Sequence, residues 1–299
     1  MRLSIVTPTI DRSSFIEEAL ASVTRKGEDE LEHIIVHDGG RGFTEALAAR
    51  HPHLTIMQGP GTGPTAAIAQ GIAAATGDFI FYLSSDDRLA AGALDALRRA
   101  ARARPDVRIW TGGTRIFRAG PAGTEVTIRA LSSPAATAAT LPNLLDDLPL
   151  FTARFIHRSV YAELGNLDLQ FPESSDREFL VRAAMAGVRE APLGATVSEL
   201  RQHAASHTMH GARGRVPPYL REHLRLAEAW LDRRDIPPPA ARLFRNWRAR
   251  EYLRLIVFQL RARQWRGAMT SFGEALKADP FWGLRATTTL AAWLRRRRS

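Results

Sequence analysis

The feature that most constrains the fold is a short apolar run that leads directly into two carboxylates. Phe79 to Leu83 is too short for a buried helix and follows turn-forming residues, so it predicts a central β-strand. Asp86 and Asp87 come next. In open α/β sheets ligands collect beyond the carboxyl ends of the strands, and carboxylates there suit Mg²⁺ or Mn²⁺. Alternatively, one of these aspartates simply caps a helix that starts near Leu89.

Strands and helices alternate through the N-terminal part of the chain. Strands are predicted at residues 3–7, 31–36, 54–57 and 79–83, and helices at 14–23, 44–50, 65–75 and 89–103. This alternation is typical of βαβ units and a parallel sheet. The Gly59–Gly63 loop lacks the Gly-Lys-Ser/Thr ending of a phosphate loop, so we interpret it as a flexible entry to a helix that is also free to border a ligand.

The middle of the chain carries weaker signals. Residues 107–118 and 124–129 predict a hairpin, and 151–157 and 188–197 predict further strands. Ser175 to Glu178 has a capping-box pattern, which predicts a helix with Asp176 in its first turn. A carboxylate there is favoured in its ionised form, which would lower its strength as a base.

Composition excludes several classes of protein. The chain of 299 residues has no cysteine, so disulfide frameworks, thiolate metal sites and cysteine nucleophiles are excluded. It has no apolar run of membrane-spanning length and no signal-peptide pattern, so we expect a cytoplasmic protein, with the inner face of the membrane as a further place of attachment. The net charge of +10 favours anionic partners. The basic residues concentrate after Gly211, and without an RNA-binding pattern or module they do not indicate nucleic acid.

Five segments occur in order along the chain: Ser4–Thr9, Ile35–Gly40, Gly71–Asp87, Arg158–Asp168 and Ser175–Gly187. Together they resemble the family 2 glycosyltransferases with the GT-A fold. The resemblance covers about residues 1–210 and implies an α/β fold with a mostly parallel, Rossmann-like central sheet flanked by helices. We therefore predict a GT-A domain over residues 1–212 and a basic helical extension over 213–299.

The resemblance also implies an activity. It would be transfer of a sugar, with inversion, from a nucleotide-diphospho-sugar to a hydroxyl of a glycan, polysaccharide or glycolipid precursor. UDP- and dTDP-sugars are the commonest donors in the family, and Mn²⁺ or Mg²⁺ is the implied cofactor. A divalent cation would neutralise the charge that the departing diphosphate gains.

The same resemblance assigns a role to each of eight residues. The nucleotide-sugar would be bound by Thr7, Pro8, Thr9, Asp38 and Asp86, with Asp38 on the base and Asp86 near the ribose. The metal ligands would be Asp87, Asp86 and His203. Asp176 would be the general base that takes the proton of the acceptor hydroxyl; its alternative role is a purely structural charge at a helix start.

Several positions depart from the family pattern. Ser84 stands where members often have Asp or Asn. Ala69 stands where they often have Asn, and Ser175 where they often have Glu. These departures support a second hypothesis, a catalytically silent GT-A-like scaffold that binds partners through its C-terminal helices.

The C-terminal part predicts four helices, at residues 220–233, 240–263, 265–278 and 281–298. Trp265, Ala268, Phe272, Ala275 and Leu276 resemble half of a tetratricopeptide unit, although such arrays need about three copies. Residues 281–299 combine aromatic and aliphatic residues with four terminal arginines. They fit either an interfacial helix on an anionic membrane or a helix docked on its own domain.

Overall fold

The computed structural model describes residues 1–10, 15–23, 30–120, 124–146, 150–203 and 216–287. Two compact units divide these residues. The first contains the described residues up to 140 and from 150 to 203, and the second contains 141–146 and 216–287. The predicted domain boundary at 212/213 lies outside the described residues.

One sheet of nine strands forms the centre of the first unit. The strands are β1 (Leu3–Thr9), β2 (Leu31–His37), β3 (Thr55–Gln58), β4 (Phe79–Tyr82), β5 (Arg88–Leu89), β6 (Ile109–Ala119), β7 (Glu125–Leu131), β8 (Arg154–His157) and β9 (Glu190–Arg201). Their order is β3-β2-β1-β4-β8-β6-β9-β5, and β7 pairs with β6. The predicted central strand is therefore β4, which lies in the middle of the sheet.

The N-terminal half of the sheet is parallel, as the alternation of elements predicts. β2 and β4 flank β1, and β3 flanks β2, all in parallel register. Every residue of β1 is buried, and its buried hydroxyl groups at Ser4 and Thr7 have hydrogen-bond partners in β2, Glu32 and His33. At Gly71 an added Cβ would lie 2.4 Å from Val6 Cγ1, so a glycine is needed for this close contact with β1.

The other half of the sheet is mixed. β8 pairs antiparallel with both β4 and β6, and β6 forms the predicted hairpin with β7. β9 runs parallel to β6 and antiparallel to β5. The partners of β8 and β9 lie far away in sequence, and such pairings leave no local signal, so the sequence predicted these two strands without their partners and did not predict β5.

Helices cover the sheet and form the second unit. They are α1 (Ile16–Ser22), α2 (Arg41–Arg50), α3 (Pro64–Ala74), α4 (Ala93–Ala103), α5 (Pro134–Thr137), α6 (Leu141–Asp146), α7 (Arg158–Leu164), α8 (Ser175–Met185), α9 (Tyr219–Leu231), α10 (Pro238–Arg261) and α11 (Trp265–Ala278). Within the described ranges no helix is both long and apolar enough to cross a membrane.

Two local predictions are wrong. Neither Asp86 nor Asp87 caps a helix, because the next residues form β5 against β9 and α4 begins only at Ala93. The capping box at α8 does not form either. Glu178 instead accepts hydrogen bonds from Nε and Nη2 of Arg182, both at 2.7 Å, one turn further along the helix.

The second unit is helical, and its core lies among α9, α10 and α11. Leu220, Leu224, Tyr252, Leu255, Ala268 and Ala275 are buried there. The half-repeat pattern of α11 does not describe its packing: the two alanines are buried, but Trp265, Phe272 and Leu276 are exposed.

Candidate active site

The carboxyl ends of three neighbouring parallel strands meet at one edge of the sheet. Thr9 at the end of β1 pairs with His37 at the end of β2. On the other side of β1, Val6 pairs with Tyr82 of β4, and the amide of Leu83 donates to the carbonyl of Val6 at 3.0 Å. Residues that follow these strands therefore share this edge. They include Asp38 and the Asp86–Asp87 pair, two predicted sites separated by nearly fifty residues.

Asp38 is held by the glycine-rich loop that follows β3. Its backbone amide donates to the carbonyl of Thr9 at 2.9 Å, and its Oδ1 accepts from the amide of Gly61 at 2.8 Å. A Cβ on Gly59 would lie 2.0 Å from the same Oδ1, so only glycine fits there. The Gly59–Gly63 loop thus borders the predicted base site, which agrees with its interpretation as a loop free to border a ligand.

The three residues predicted from β1 differ in what they present. The Thr7 side chain is fully buried, and its Oγ1 lies 2.9 Å from Nε2 of His33 inside the sheet. Thr9 is nearly buried, with its hydroxyl 3.4 Å from the carbonyl of Ile10, and Pro8 lies buried between the two. Thr7 therefore supports the end of β1 from inside the sheet and does not present its hydroxyl to a ligand.

The two carboxylates after β4 lie in a tight turn. The amide of Asp87 donates to the carbonyl of Ser84 at 3.1 Å, and Oγ of Ser84 donates to Oδ1 of Asp86. Asp87 is 5% exposed. Burial, and next the negative charge of Asp86, raise the pKa of Asp87 to about 8. Ser84, one of the departures from the family pattern, thus supports Asp86 directly.

His203 lies against this turn, with its Nε2 2.9 Å from Oδ2 of Asp86. Its ring also lies beside Phe15, with centroids 5.2 Å apart. The part of the chain that is described contains no group of three or more His, Asp or Glu arranged to hold a metal. An imidazole and a carboxylate in contact nevertheless fit Mn²⁺ or Mg²⁺, which in nucleotide sites take one or two carboxylates and obtain further ligands from phosphates.

Arg201 fixes the same turn from the last residue of β9. Its amide donates to Oδ1 of Asp87 at 2.8 Å, and its Nε donates to the carbonyl of Asp86 at 3.2 Å. The guanidinium also pairs with Glu18 and lies 4.3 Å from the centre of the Phe15 ring. The position of Arg201 as a support for both aspartates had no sequence signal.

Asp176 is the second residue of α8, and its Oδ1 accepts from the amide of Arg177 at 2.6 Å. Burial raises the pKa of Asp176, and the charges of Arg177 and Arg154 oppose this rise only in part. Burial therefore acts against the effect that the helix start was expected to have on its basicity.

Tyr82 lies within the electrostatic range of Asp176 and of the aspartate pair. Burial raises the pKa of Tyr82, and the negative charges of Asp87, Asp86 and Asp176 raise it further. Its ring also lies 6.1 Å from Phe151, which in turn contacts Phe179 of α8. Carboxylates from two distant parts of the chain therefore act on one side chain at the end of β4.

Comparison with known proteins identifies the family. The model of glycosyl transferase family 2 matches residues 4–155, just over half of the chain. The chain belongs to this family. Its relatives include the O-antigen biosynthesis protein RfbC of Myxococcus xanthus, 31% identical over 114 residues. Another is the GalNAc(5)-diNAcBac-PP-undecaprenol beta-1,3-glucosyltransferase of Campylobacter jejuni, 27% identical over 106 residues.

These matches cover only parts of the relatives. The first match spans 36% of this glycosyltransferase family member and 9% of the M. xanthus protein. The second spans 33% of this chain and 34% of the C. jejuni protein. An uncharacterized glycosyltransferase of Mycobacterium tuberculosis is 28% identical over 193 residues, which are 61% of this chain and 69% of that protein.

Solved structures of low identity share the fold. S. aureus TarS 1-349 in complex with UDP-GlcNAc has a TM-score of 0.70 at 14% identity, covering 100% of this chain and 92% of that one. The mannosyltransferase PcManGT of Pyrobaculum calidifontis, in complex with GDP-Man and Mn²⁺, has a TM-score of 0.56 at 17% identity, covering 98% and 84%. The family 2 member described here thus has the GT-A fold, which confirms the predicted α/β class.

Proposed function

We propose that the protein transfers a sugar from a nucleotide-diphospho-sugar to a hydroxyl group of a glycan, polysaccharide or glycolipid precursor. The observation that carries the proposal is the common edge of the sheet at which Asp38, Asp86 and Asp87 lie, with Asp176 acting on the same Tyr82 as the aspartate pair. Membership of family 2 supports it. We assign the activity to residues 1–212 and treat 213–299 as a basic helical extension.

The donor nucleotide would lie over the ends of β1 and β2. Asp38 is held in place by Gly61 and Thr9, so its remaining lone pairs are oriented in advance for donors on the base. Pro8 and Thr9 would border this pocket, and the wholly buried Thr7 would support it from inside the sheet. The TarS structures with UDP-GlcNAc and with UDP support a uridine donor, and a dTDP-sugar is the other candidate.

The diphosphate would lie over the turn after β4. Asp86 with His203, and Asp87 beside them, would hold Mn²⁺ or Mg²⁺. When bound, such a cation supplies positive charge to the leaving diphosphate. The chain itself contributes a fixed arrangement, because Ser84 and Arg201 orient the two aspartates through hydrogen bonds. The Mn²⁺ in the PcManGT complex is consistent with this assignment.

Asp176 would act on the acceptor. Its carboxylate takes the proton of the attacking hydroxyl while that oxygen bonds to the anomeric carbon. The bond from this carbon to the diphosphate breaks, and the nucleotide diphosphate leaves with the electron pair. A single displacement of this kind inverts the anomeric configuration. A carboxyl whose pKa is raised by burial is a stronger base than an exposed one.

A lipid-linked or polysaccharide acceptor is the class that the relatives support. One is named for a PP-undecaprenol substrate and another for O-antigen biosynthesis. We expect the protein to act in the cytoplasm at the inner face of the membrane, with residues 281–299 as one candidate for membrane contact.

The test combines binding and transfer. A thermal-shift screen of nucleotide diphosphates and their sugars, with and without Mn²⁺, should raise the melting temperature with at least one UDP- or dTDP-sugar. Asp176→Asn should keep this shift and lose transfer by about a hundredfold or more. Glu45→Gln, a change at an exposed position, serves as the control. If Asp176→Asn retained both nucleotide-sugar binding and transfer, the role of Asp176 as base would be refuted.

The silent-scaffold alternative makes a different prediction for the same screen. It requires that no nucleotide-sugar shifts the melting temperature and that metal has no effect. Metal-dependent binding together with transfer would exclude it.

A further inference from the structure

Helix α11 carries four large apolar side chains on its exposed surface. Trp265 is 63% exposed and Met269 is 77% exposed, and Phe272 and Leu276 are exposed as well. Spacings of four, three and four residues place them in one line along the helix. Single exposed apolar residues are common, whereas a continuous line of four marks an interaction surface. We call these four residues the α11 stripe.

The stripe is separate from the face that packs inside the unit. At about 100° per residue, its four side chains fall within an arc of about 60°, and the buried Ala268, Ser271 and Ala275 form the adjacent arc. Within the described residues, the ring of Phe272 lies beside that of Trp282, with centroids 5.8 Å apart. Burial inside the described part of this unit therefore does not account for the stripe.

The charges around the stripe are arranged asymmetrically. Arg266 and Lys277 lie about 100° to 120° around the helix from Trp265, and Glu274 lies on the opposite side at about 180°. Long basic side chains beside an apolar line can extend to anionic groups while their stems cover apolar surface. Two more exposed apolar residues, Phe281 and Leu284, follow α11.

The surrounding sequence has the same charge sign. Residues 216–299 contain eighteen basic and seven acidic residues, so the whole excess positive charge of the chain arises there. A tryptophan at the end of an apolar line, flanking cations and an acid on the far side are the pattern of a helix in the plane of an anionic bilayer surface. A protein partner of the same fit would need an acidic groove, whereas anionic lipid headgroups and acyl chains supply both features together.

We propose that the α11 stripe is a docking surface for an anionic lipid bilayer. Trp265, Met269, Phe272 and Leu276 enter the boundary between headgroups and acyl chains, and Arg266 and Lys277 pair with the headgroups. The surface is distinct from residues 281–299. It does not depend on the proposed transfer activity, since it requires neither donor nor metal.

The absence of cysteine allows a direct test on the full chain. Met269→Cys and Glu274→Cys each place a single thiol on α11, on opposite faces, for labelling with an environment-sensitive nitrobenzoxadiazole dye. The vesicles are phosphatidylcholine with about one phosphatidylglycerol in three lipids, and pure phosphatidylcholine is the comparison. With the anionic vesicles we expect the dye at position 269, but not at 274, to show a blue-shifted emission and protection from aqueous quenchers. Both effects should decrease at high salt.

A paired substitution measures the contribution of the stripe to binding. Trp265→Gln/Met269→Gln should weaken co-sedimentation with anionic vesicles by about tenfold or more. Val126→Thr/Ile128→Thr removes two exposed aliphatic residues from β7 and should leave co-sedimentation unchanged. Circular dichroism of both variants shows whether each remains folded.

Three results would overturn the proposal. The first is no vesicle binding by the full chain. The second is a response at position 269 without lipid that rises with protein concentration and doubles the mass in light scattering, which would make a second copy the occupant. The third is binding that deletion of residues 288–299 abolishes while the dye at 269 never responds, which would assign membrane contact to the tail alone.

Discussion

The backbone amide of Arg201 donates a hydrogen bond to Oδ1 of Asp87 at 2.8 Å, joining residues 114 positions apart. The contact fastens the end of β9 to the turn that follows β4. The Arg201 side chain strengthens the connection through the carbonyl of Asp86 and the carboxylate of Glu18. The geometry of the aspartate pair is therefore set by a strand from a distant part of the chain.

Removing the Arg201 side chain should loosen this turn without removing the aspartates. We expect Arg201→Ala to lower kcat/KM for the nucleotide-sugar by about 10- to 100-fold, since a charge-assisted hydrogen bond contributes about 1.5–3 kcal/mol. Arg201→Lys should recover part of the loss, because it keeps the charge but not the planar fork. Steady-state kinetics and thermal unfolding of each variant provide the measurements.

Arg115→Ala is the matched control for Arg201. Arg115 lies over the ring of Phe117, at 4.7 Å, and pairs with Glu125 and Glu199. The substitution Arg115→Ala should reduce stability with little change in kcat/KM. Equal losses of activity in the two variants would show that Arg201 acts only through general stability.

A methyl group on Gly59 should displace Asp38. The added Cβ would meet Oδ1 of Asp38 at 2.0 Å and Cγ at 2.8 Å, so the carboxylate would have to move. We expect Gly59→Ala to weaken binding of the preferred nucleotide by about tenfold or more, which corresponds to at least about 1.4 kcal/mol. Isothermal titration calorimetry measures the change.

Gly42 provides the comparison, because an added Cβ there has no atom within 4 Å. It lies in helix α2, so Gly42→Ala should leave nucleotide affinity unchanged and stabilise the protein by about 0.5–1 kcal/mol. Unchanged affinity in Gly59→Ala would separate Asp38 from nucleotide binding.

His33 should make stability depend on pH in the acidic range. Burial, followed by the charges of His53 and His51, lowers the pKa of His33 to about 3. The unfolded chain, with an ordinary histidine pKa, then binds more protons than the native state between pH 3 and 6.5. Stability is complete above about pH 6.5 and decreases as the pH falls, by about 2 kcal/mol from pH 7 to pH 5.

Urea unfolding at pH 7 and pH 5 should show a smaller loss of stability for His33→Gln than for the wild-type protein. The substitution His53→Gln, at an exposed position, should keep most of the wild-type pH dependence. Glutamine can preserve a hydrogen bond to Thr7, whose Oγ1 lies 2.9 Å from His33. An identical pH dependence in wild-type and His33→Gln proteins would contradict the prediction.

Glu251 should be essential to the helical unit. It is fully buried and accepts from Nδ1 of His223 at 3.0 Å and from Nη1 of Arg254 at 2.9 and 3.0 Å, with Nε of Arg250 at 3.3 Å. Burial acts to raise its pKa, but His223, Arg254 and Arg250 together hold it well below its ordinary value.

Glu251→Gln removes the buried negative charge that faces the guanidinium groups of Arg254 and Arg250 and the ring of His223. We expect a loss of about 3–5 kcal/mol in unfolding free energy, measured by chemical denaturation. Glu274→Gln, at an exposed position of α11, is the matched control and should change the free energy of unfolding by less than about 0.5 kcal/mol. A similar small effect at Glu251 would show that water reaches the cluster.

The sequence alone determined the α/β class, most strand and helix positions, and which carboxylates follow β2 and β4. Apolar periodicity and turn residues report locally on burial, and adjacent parallel strands bring the residues at their ends together. Tertiary structure decided what no local pattern encodes. It paired β5 with β9 where an aspartate-capped helix was the alternative, and it placed the amide of Arg201 on Asp87. It also directed the hydroxyl of Thr7 to His33 and raised the pKa of Asp176 by burial. It also decided that the apolar line of α11 lies outside its core. The physical reason is that pairing, desolvation and exposure depend on partners far away in sequence, whereas periodicity records only that a face is apolar.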